Sequence, residues 1–117
     1  VLRDVVRARI GADGRLGAWE TVSRMDSSYA AAAAVVHGGR VLVVGGVENG
    51  VRYSDRVQAA PLLPDGSLGA WATADGRLPA ARAHVHQVPV VGGRLYSAAG
   101  IGAAPLASVF VSAPVPP

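Results

Sequence analysis

The sequence predicts an all-β protein made of repeated units of antiparallel strands. The heptapeptide Asp-Gly-x-Leu-Gly-Ala-Trp occurs at 13–19 and again at 65–71, so its two tryptophans lie 52 positions apart (71 minus 19). A fixed period of this size indicates a repeat architecture. The 15 glycines and 8 prolines favour many short strands joined by turns. Glycine pairs between apolar segments, at 38–39 and 92–93, are typical of strand–turn–strand units.

The composition argues against several classes of protein. The 11 arginines, with no lysine, exceed the 8 acidic residues and give a net charge of +3, but they are scattered singly. A nucleic-acid surface needs basic residues clustered on one face, so we expect no nucleic-acid partner. No apolar segment approaches the roughly 20 residues of a membrane-spanning helix, so we expect no membrane span. Without cysteine there is no disulfide or thiolate site, and the compartment stays open.

The first 22 residues predict a hairpin. Within 4–10, the side chains of Val6, Ala8 and Ile10 alternate with their neighbours, which indicates a half-buried strand. The turn at 11–14 contains Asp-Gly, and a second strand at 16–22 carries Trp19. The segment opens without a signal-peptide pattern, which indicates a mature product, an excised segment or an expressed fragment.

The segment 29–36 is rich in alanine, which on propensity alone would favour a helix. A tight turn at 37–40 and the β-branched segment 41–44 follow at once. A hairpin explains both sides of that turn, whereas a helix explains one, so we predict two strands. Both are continuously apolar, which indicates burial on both faces.

The remaining chain predicts five further strands, and nine in all. Calling the strands of one unit a, b, c and d, the order is c-d, a-b-c-d, a-b-c. The complete unit spans 29–74, and partial units span 1–22 and 82–112. A proline-rich tail at 113–117 cannot extend a central strand, because proline lacks the backbone donor. The five strands lie at 55–62, 68–73 (with Trp71), 82–91, 94–98 and 107–112.

The order of glycine pairs, apolar strands and tryptophans resembles the kelch repeat of β-propellers. The residues that carry the resemblance are 37–46 with Trp71, and Gly92-Gly93-Arg94, Leu95-Tyr96 and Gly100 in the second copy, with Trp19 as the matching tryptophan. The segments Leu78-Pro79 and Arg82-Ala83-His84 also resemble the approach to a kelch inner strand. The sequence departs from the pattern at Ala99, where glycine is expected, and at Ser28, where the second copy has Arg82.

The resemblance implies a propeller, in which tryptophan fills the wedge between adjacent blades. Removal of Trp71 would then cost roughly 3–5 kcal/mol. Propellers close with about four to eight blades, whereas this chain supplies roughly two. Two explanations stay open: the chain is a piece of a longer propeller, or several copies assemble into a ring.

No catalytic constellation, metal site or cofactor is predicted. His84 and His86 lie two positions apart on a predicted strand and so share a face, but channel or interface lining explains them as well as metal binding does. Asp13 and Asp65 precede glycines in turns, where bonds to the local backbone are their ordinary role. Trp19 and Trp71 recur at a fixed place in the unit, which favours packing over sugar stacking.

The candidate binding residues lie on loops that we expect to emerge together, at 23–28, 47–54, 75–82 and 101–106. Loops held by rigid sheets commonly carry function. The first hypothesis is a non-catalytic module that binds a protein or a glycan on this loop face. The alternatives are a segment of a propeller-fold enzyme, such as a copper oxidase or a sugar-processing enzyme, and a self-assembling structural unit. The candidate residues are Glu48, Asn49, Arg52, Tyr53, Arg82 and His84.

Overall fold

The computed structural model describes residues 2–114, and within that range it contains strands and turns but no helix. The all-β prediction is therefore confirmed. None of these residues forms a helix able to cross a membrane. The strands are β1 (Asp4–Arg7), β2 (Glu20–Arg24), β3 (Tyr29–Ala30), β4 (Ala33–His37), β5 (Arg40–Val44), β6 (Val47–Glu48), β7 (Arg52–Tyr53), β8 (Val57–Pro61), β9 (Ala72–Thr73), β10 (Val90–Val91), β11 (Arg94–Ala98) and β12 (Val109–Val111).

The N-terminal sheet consists of β1 and β2, which pair antiparallel with an irregularity between Val5 and Val6. The predicted strands 4–10 and 16–22 are shorter in the structure, and beyond β1 only an isolated bridge joins Ile10 to Leu16. Both of those side chains are exposed, so no core holds the ladder together there. Trp19 lies just before β2 and outside any strand.

The central sheet is a four-stranded antiparallel meander in the order β4-β5-β8-β9. The turn at Gly38 and Gly39, both with positive φ, joins β4 to β5, and Val35 pairs with Leu42. The segment 29–36 is not helical, as predicted, but it is two strands and not one: Ala31, with a φ of 52°, separates β3 from β4, and the two strands belong to different sheets. Tertiary pairing outweighs the helix propensity of its alanines. Trp71 immediately precedes β9, because the predicted strand 68–73 forms a ladder only at 72–73.

A small sheet of β3, β6 and β7 lies beside the central sheet and was not predicted. The sequence indicated a polar loop at 47–54, but the chain there turns at Asn49 and Gly50, which both have positive φ, and returns as β7. Asn and Gly are the residues that adopt this backbone conformation at least cost. The short hairpin pairs with Tyr29 and Ala30, which extend its ladder to three strands.

The C-terminal sheet has the order β10-β11-β12, and the prediction of one long strand at 82–91 is wrong. Only 90–91 is strand, and Ala83 forms an isolated bridge with Ile101. His84 has a positive φ of 59°, which bends the chain out of the extended conformation. Its N–H donates to the carbonyl of Ala31, so this segment ties the C-terminal sheet to the approach of β4.

The shared core lies between the central and C-terminal sheets. Ala33, Val44 and Val88 are buried there, and half-buried hydrophobic side chains pack against them (Val57, Leu78, Val85 and Leu95). The segment 45–46 passes very close to Arg82: the N–H of Gly46 donates to its carbonyl at 2.8 Å. A Cβ atom on Gly45 would lie 2.5 Å from that oxygen, so only glycine fits.

Candidate binding site

Glu48, on β6, is the centre of a polar cluster. Its side chain is only 7% exposed and forms an ion pair with Arg52. The hydroxyl of Tyr29 donates to Oε1 at 3.3 Å, and Nη1 of Arg56 lies 3.8 Å from the same oxygen. The hydrogen bond from Arg52 is the main reason that the pKa of Glu48 is lowered, although burial opposes it. Glu48 is therefore a buried carboxylate neutralised by its neighbours.

A chain of hydrogen bonds connects this cluster to the central sheet. Nε2 of Gln58 donates to the hydroxyl of Tyr29 at 3.1 Å, and the hydroxyl of Thr73 donates to Oε1 of Gln58 at 3.1 Å. Burial, and then the negative charge of Glu48, raise the pKa of Tyr29. Tyr29 therefore keeps its proton and donates it. The network joins β3 and β6 to β8 and β9, so the small sheet has a fixed position.

Asn49 has a structural role in the same hairpin. Its Oδ1 accepts hydrogen bonds from the backbone N–H of Ser28 at 3.2 Å and from the hydroxyl of Ser28 at 3.3 Å. The backbone N–H of Asn49 donates in turn to the carbonyl of Ser28. Two of the loops expected to lie together, 23–28 and 47–54, are therefore in contact, and Asn49 joins them.

Arg52 and Tyr53 line a polar cleft of about 220 Å³ next to this cluster. The side chain of Arg52 is 63% exposed, and Tyr53 is exposed as well. Arg77, which also lines the cleft, pairs with Asp55 at 3.3 Å, so the loop 75–82 reaches this place as well. The complete lining is Glu48, Arg52, Tyr53, Ser54, Asp55, Arg56, Arg77 and Ala81.

The charges of the cleft do not cancel. Three arginines face two carboxylates, and each carboxylate is already engaged: Glu48 by Arg52 and Arg56, Asp55 by Arg77. The cleft therefore keeps a surplus of positive charge and guanidinium donors in partial contact with solvent. Such donors suit planar anionic groups, in particular carboxylates.

Arg82 lies inside the protein and not on the loop face. It is 1% exposed, and its guanidinium donates to the carbonyl of Ala99 at 2.7 Å, the carbonyl of Ser108 at 3.2 Å and the hydroxyl of Ser108 at 2.7 Å. It connects the loop 75–82 with both ends of the segment 99–108. A side chain so enclosed holds the fold together, and the surface proposed below does not include it.

His84 and His86 are exposed and lie away from the cleft, with their rings perpendicular and 6.3 Å apart. Because the segment is not a strand, the argument that places both on one face of a strand does not apply. Among residues 2–114, no three His, Cys, Asp or Glu side chains come close enough to hold a metal ion. His84 therefore stays a surface residue without an evident ligand.

Two arginines of the cleft, Arg56 and Arg77, were absent from the sequence-based candidates. Arg77 lies in a loop that was expected at this face, so its position was a usable signal. Arg56 gave no signal, because it follows Asp55 at the start of a strand and points to Glu48 only once the small sheet has formed.

Comparisons with protein-family models and with curated proteins find no match to this chain. The kelch resemblance therefore stays a prediction, supported by the sequence pattern that suggested it.

Proposed function

We propose that this protein is a non-catalytic recognition module that binds an acidic segment of a partner protein in the polar cleft beside Glu48. The observation that carries the proposal is the surplus of positive charge in the cleft, where three arginines face two carboxylates that are already paired. Each arginine spends only part of its guanidinium on these pairs: Arg52 binds Glu48 through Nε and Nη2, and its remaining N–H groups could bind a ligand carboxylate.

Arg52 and Tyr53 are the residues that make most of the contact in this proposal. Both are exposed, both line the cleft, and arginine and tyrosine are enriched at the centres of protein interfaces. The ion pair with Glu48 restrains the guanidinium of Arg52. Arg52 would therefore lose less side-chain entropy when a ligand binds. Arg56 and Arg77 add positive potential at the rim, which speeds association with an acidic ligand.

The backbone beneath the cleft is firmly held, as a binding surface requires. The N–H of Ser54 donates to the carbonyl of Gly46 at 2.8 Å, and the hydroxyl of Ser54 accepts the N–H of Arg56 at 3.0 Å. Ser54 is buried. These bonds fix both strands of the hairpin, so little ordering remains to be paid on binding.

The proposal is tested with a fluorescent hexaglutamate peptide, titrated by anisotropy at low salt, with hexalysine as the opposite-charge control. We expect the hexaglutamate affinity to fall about tenfold or more in Arg52→Ala, which corresponds to about 1.4 kcal/mol. Arg15→Ala is the matched control, because Arg15 is also an exposed arginine beside a carboxylate but lies far along the chain in the N-terminal hairpin. It should bind like the native protein.

Equal binding of hexalysine, or an unchanged affinity in Arg52→Ala, would disprove the proposed site. An oligogalacturonate of the same charge distinguishes the class of ligand. If it binds markedly more tightly than hexaglutamate and with the same dependence on Arg52, the partner is a glycan and the protein assignment fails.

A further inference from the structure

The two copies of the tryptophan heptapeptide have different surroundings. Trp71 is half-buried, and its Nε1 donates to the hydroxyl of Ser23 at 2.9 Å, at the end of the N-terminal sheet. The turn before it lies against the same sheet, where Nη1 of Arg7 donates to the carbonyl of Asp65 at 2.9 Å. The hairpin 62–71 is therefore an internal docking element.

Trp19 is the counterpart of Trp71, but most of its surface is exposed. It is 64% exposed, and its indole N–H has no hydrogen-bond partner within the described residues. Its neighbours in the hairpin, Ile10 and Leu16, are also exposed. The hairpin 10–19 is thus an exposed apolar element. Its repeat copy, the hairpin 62–71, indicates the kind of surface on which it would pack.

The surface that would receive such a hairpin is present at the other end of the molecule. Ser23 and Arg7 hold the hairpin 62–71, and the equivalent positions one repeat of 52 residues later are Asp75 and Ala59. Ala59 lines an apolar cleft of about 420 Å³ between the central and C-terminal sheets, and so do Ala74 and Gly76, which flank Asp75. In the repeat, the hairpin 62–71 packs on the N-terminal sheet. By the same 52-residue shift, the matching position on the central sheet is this cleft.

The cleft is apolar inside and positively charged at one edge. Leu42, Val57, Leu95 and Phe110 line it, and all are hydrophobic. Arg40 lines it too, without a hydrogen bond or an ion pair among the described side chains. In the internal contact, the cation of Arg7 meets the turn that contains Asp65.

The matching turn in the free hairpin contains Asp13, whose side chain is 63% exposed. The free hairpin and the cleft are therefore complementary in both hydrophobicity and charge. The hairpin carries an exposed tryptophan and an exposed carboxylate, whereas the cleft is apolar and has Arg40, which is unpaired among residues 2–114.

We propose that the protein associates with itself head to tail, with Trp19 of one copy in the cleft beside Ala59 of the next. Arg77 lines both this cleft and the polar cleft at Glu48, but Trp19, Ala59 and Ala74 do not line the polar cleft, and the proposal does not depend on the proposed function. A contact between two different surfaces of the same chain generates a ring if the rotation closes and an open chain of copies if it does not.

Association has an opposing cost. β1 of the visiting copy and β12 of the resident copy are both counterparts of β8, since Val5 and Val109 each lie 52 positions from Val57. A fully seated hairpin therefore displaces β12 from β11, as in a strand exchange. Because β12 has only three residues and exposed valines at both ends, the exchange is feasible but the contact is weak, with a dissociation constant on the order of 100 μM.

Light scattering after size exclusion, over a range of loading concentrations, tests the contact with two complementary variants. Trp19→Ala keeps the cleft and removes the tryptophan, whereas Ala59→Phe keeps the tryptophan and fills the cleft. We expect the native mass to rise above 11.8 kDa with concentration, and each variant alone to remain at 11.8 kDa. Mixed in equal amounts, the two variants should form one dimer that does not grow further.

Two controls keep the outcome interpretable. Val51→Ala removes an apolar side chain that is 87% exposed and lines neither surface, so it should behave as the native protein does. Ala74→Phe fills the same cleft from another position in case Ala59→Phe does not fold. A native protein that is monomeric up to about 1 mM, or variants that fail to complement each other, would overturn the proposal.

Discussion

The guanidinium of Arg82 lies 4.1 Å from the centre of the Phe110 ring. Among residues 2–114 no carboxylate contacts this buried charge: carbonyls, one hydroxyl and the aromatic ring are its partners. Burial lowers the pKa of Arg82. Its Nε and the hydroxyl of Ser97 are buried without a hydrogen bond, so the cation contributes stability through its Nη atoms and the ring.

Substitution Arg82→Ala should destabilise the protein by about 3 kcal/mol or more, because it removes a fully buried side chain together with its hydrogen bonds to Ala99 and Ser108. Chemical denaturation followed by far-UV circular dichroism measures the loss. Arg94→Ala is the control, since Arg94 is an exposed arginine that donates one hydrogen bond to a carbonyl. A similar small effect in both variants would show that Arg82 does not hold the loops together.

Ala99 has a φ of 57° and occupies the position that Gly45, with a φ of 65°, holds in the preceding unit. A left-handed backbone destabilises alanine by roughly 1–2 kcal/mol, and glycine would remove this strain. Part of the gain is offset, because glycine loses more conformational entropy than alanine on folding. Ala99→Gly should therefore raise the free energy of unfolding by about 0.5–1 kcal/mol, measured by urea denaturation.

The reverse change, Gly45→Ala, should lower the free energy of unfolding by more than about 2 kcal/mol, because its Cβ would lie 2.5 Å from the carbonyl oxygen of Arg82. Gly76→Ala is a neutral control: no atom lies within 4 Å of its added Cβ, and its φ is not positive. If Ala99→Gly lowered the free energy of unfolding, the left-handed backbone at Ala99 would not be a source of strain.

The tryptophan pair offers a stability test within one molecule. Trp71→Ala should cost about 3 kcal/mol, since it removes a half-buried ring and the hydrogen bond to Ser23. Trp19→Ala should cost less than about 1 kcal/mol under dilute conditions, because Trp19 is 64% exposed. Thermal and urea unfolding at low protein concentration compare the two. Equal losses would contradict the difference in packing.

Glu48 should make stability depend on pH. Its pKa is lowered in the folded protein, so its contribution is present above the ordinary glutamate pKa near 4.3 and is lost as the pH falls through the lowered value. Glu48→Gln should lose about 1–3 kcal/mol at neutral pH and should depend less on pH in the acidic range. Urea midpoints at pH 7 and about pH 3 measure the difference.

Glu20→Gln is the matched variant for this experiment. Glu20 also pairs with an arginine, at 2.7 Å from Arg7, but its side chain is 59% exposed. Exposed ion pairs contribute little, so its pH dependence should follow that of the native protein. If Glu48→Gln retains the full acid sensitivity, the cluster around Glu48 does not titrate as described.

The sequence alone was sufficient to predict the β class and the hairpin at the centre of the central sheet. Local signals carry that information: glycines at turns, β-branched segments of strand length and a heptapeptide repeated at a fixed period. The same signals did not predict where individual strands begin and end. The strand at 82–91 fails because His84 takes a left-handed conformation and its N–H pairs with Ala31, a partner 53 positions away that no local pattern reveals.

The polar cleft beside Glu48 also shows what the sequence could and could not predict. Arg52 and Tyr53 were predicted from residue type and loop position, and the structure places both at the cleft. Arg82 has the same residue type, yet it is buried, because the carbonyls that surround it belong to segments 17 to 26 residues further along the chain. Local sequence determines which residues can turn, extend or carry charge. Only the tertiary structure decides which of them meet, since burial and pairing depend on contacts between distant parts of the chain.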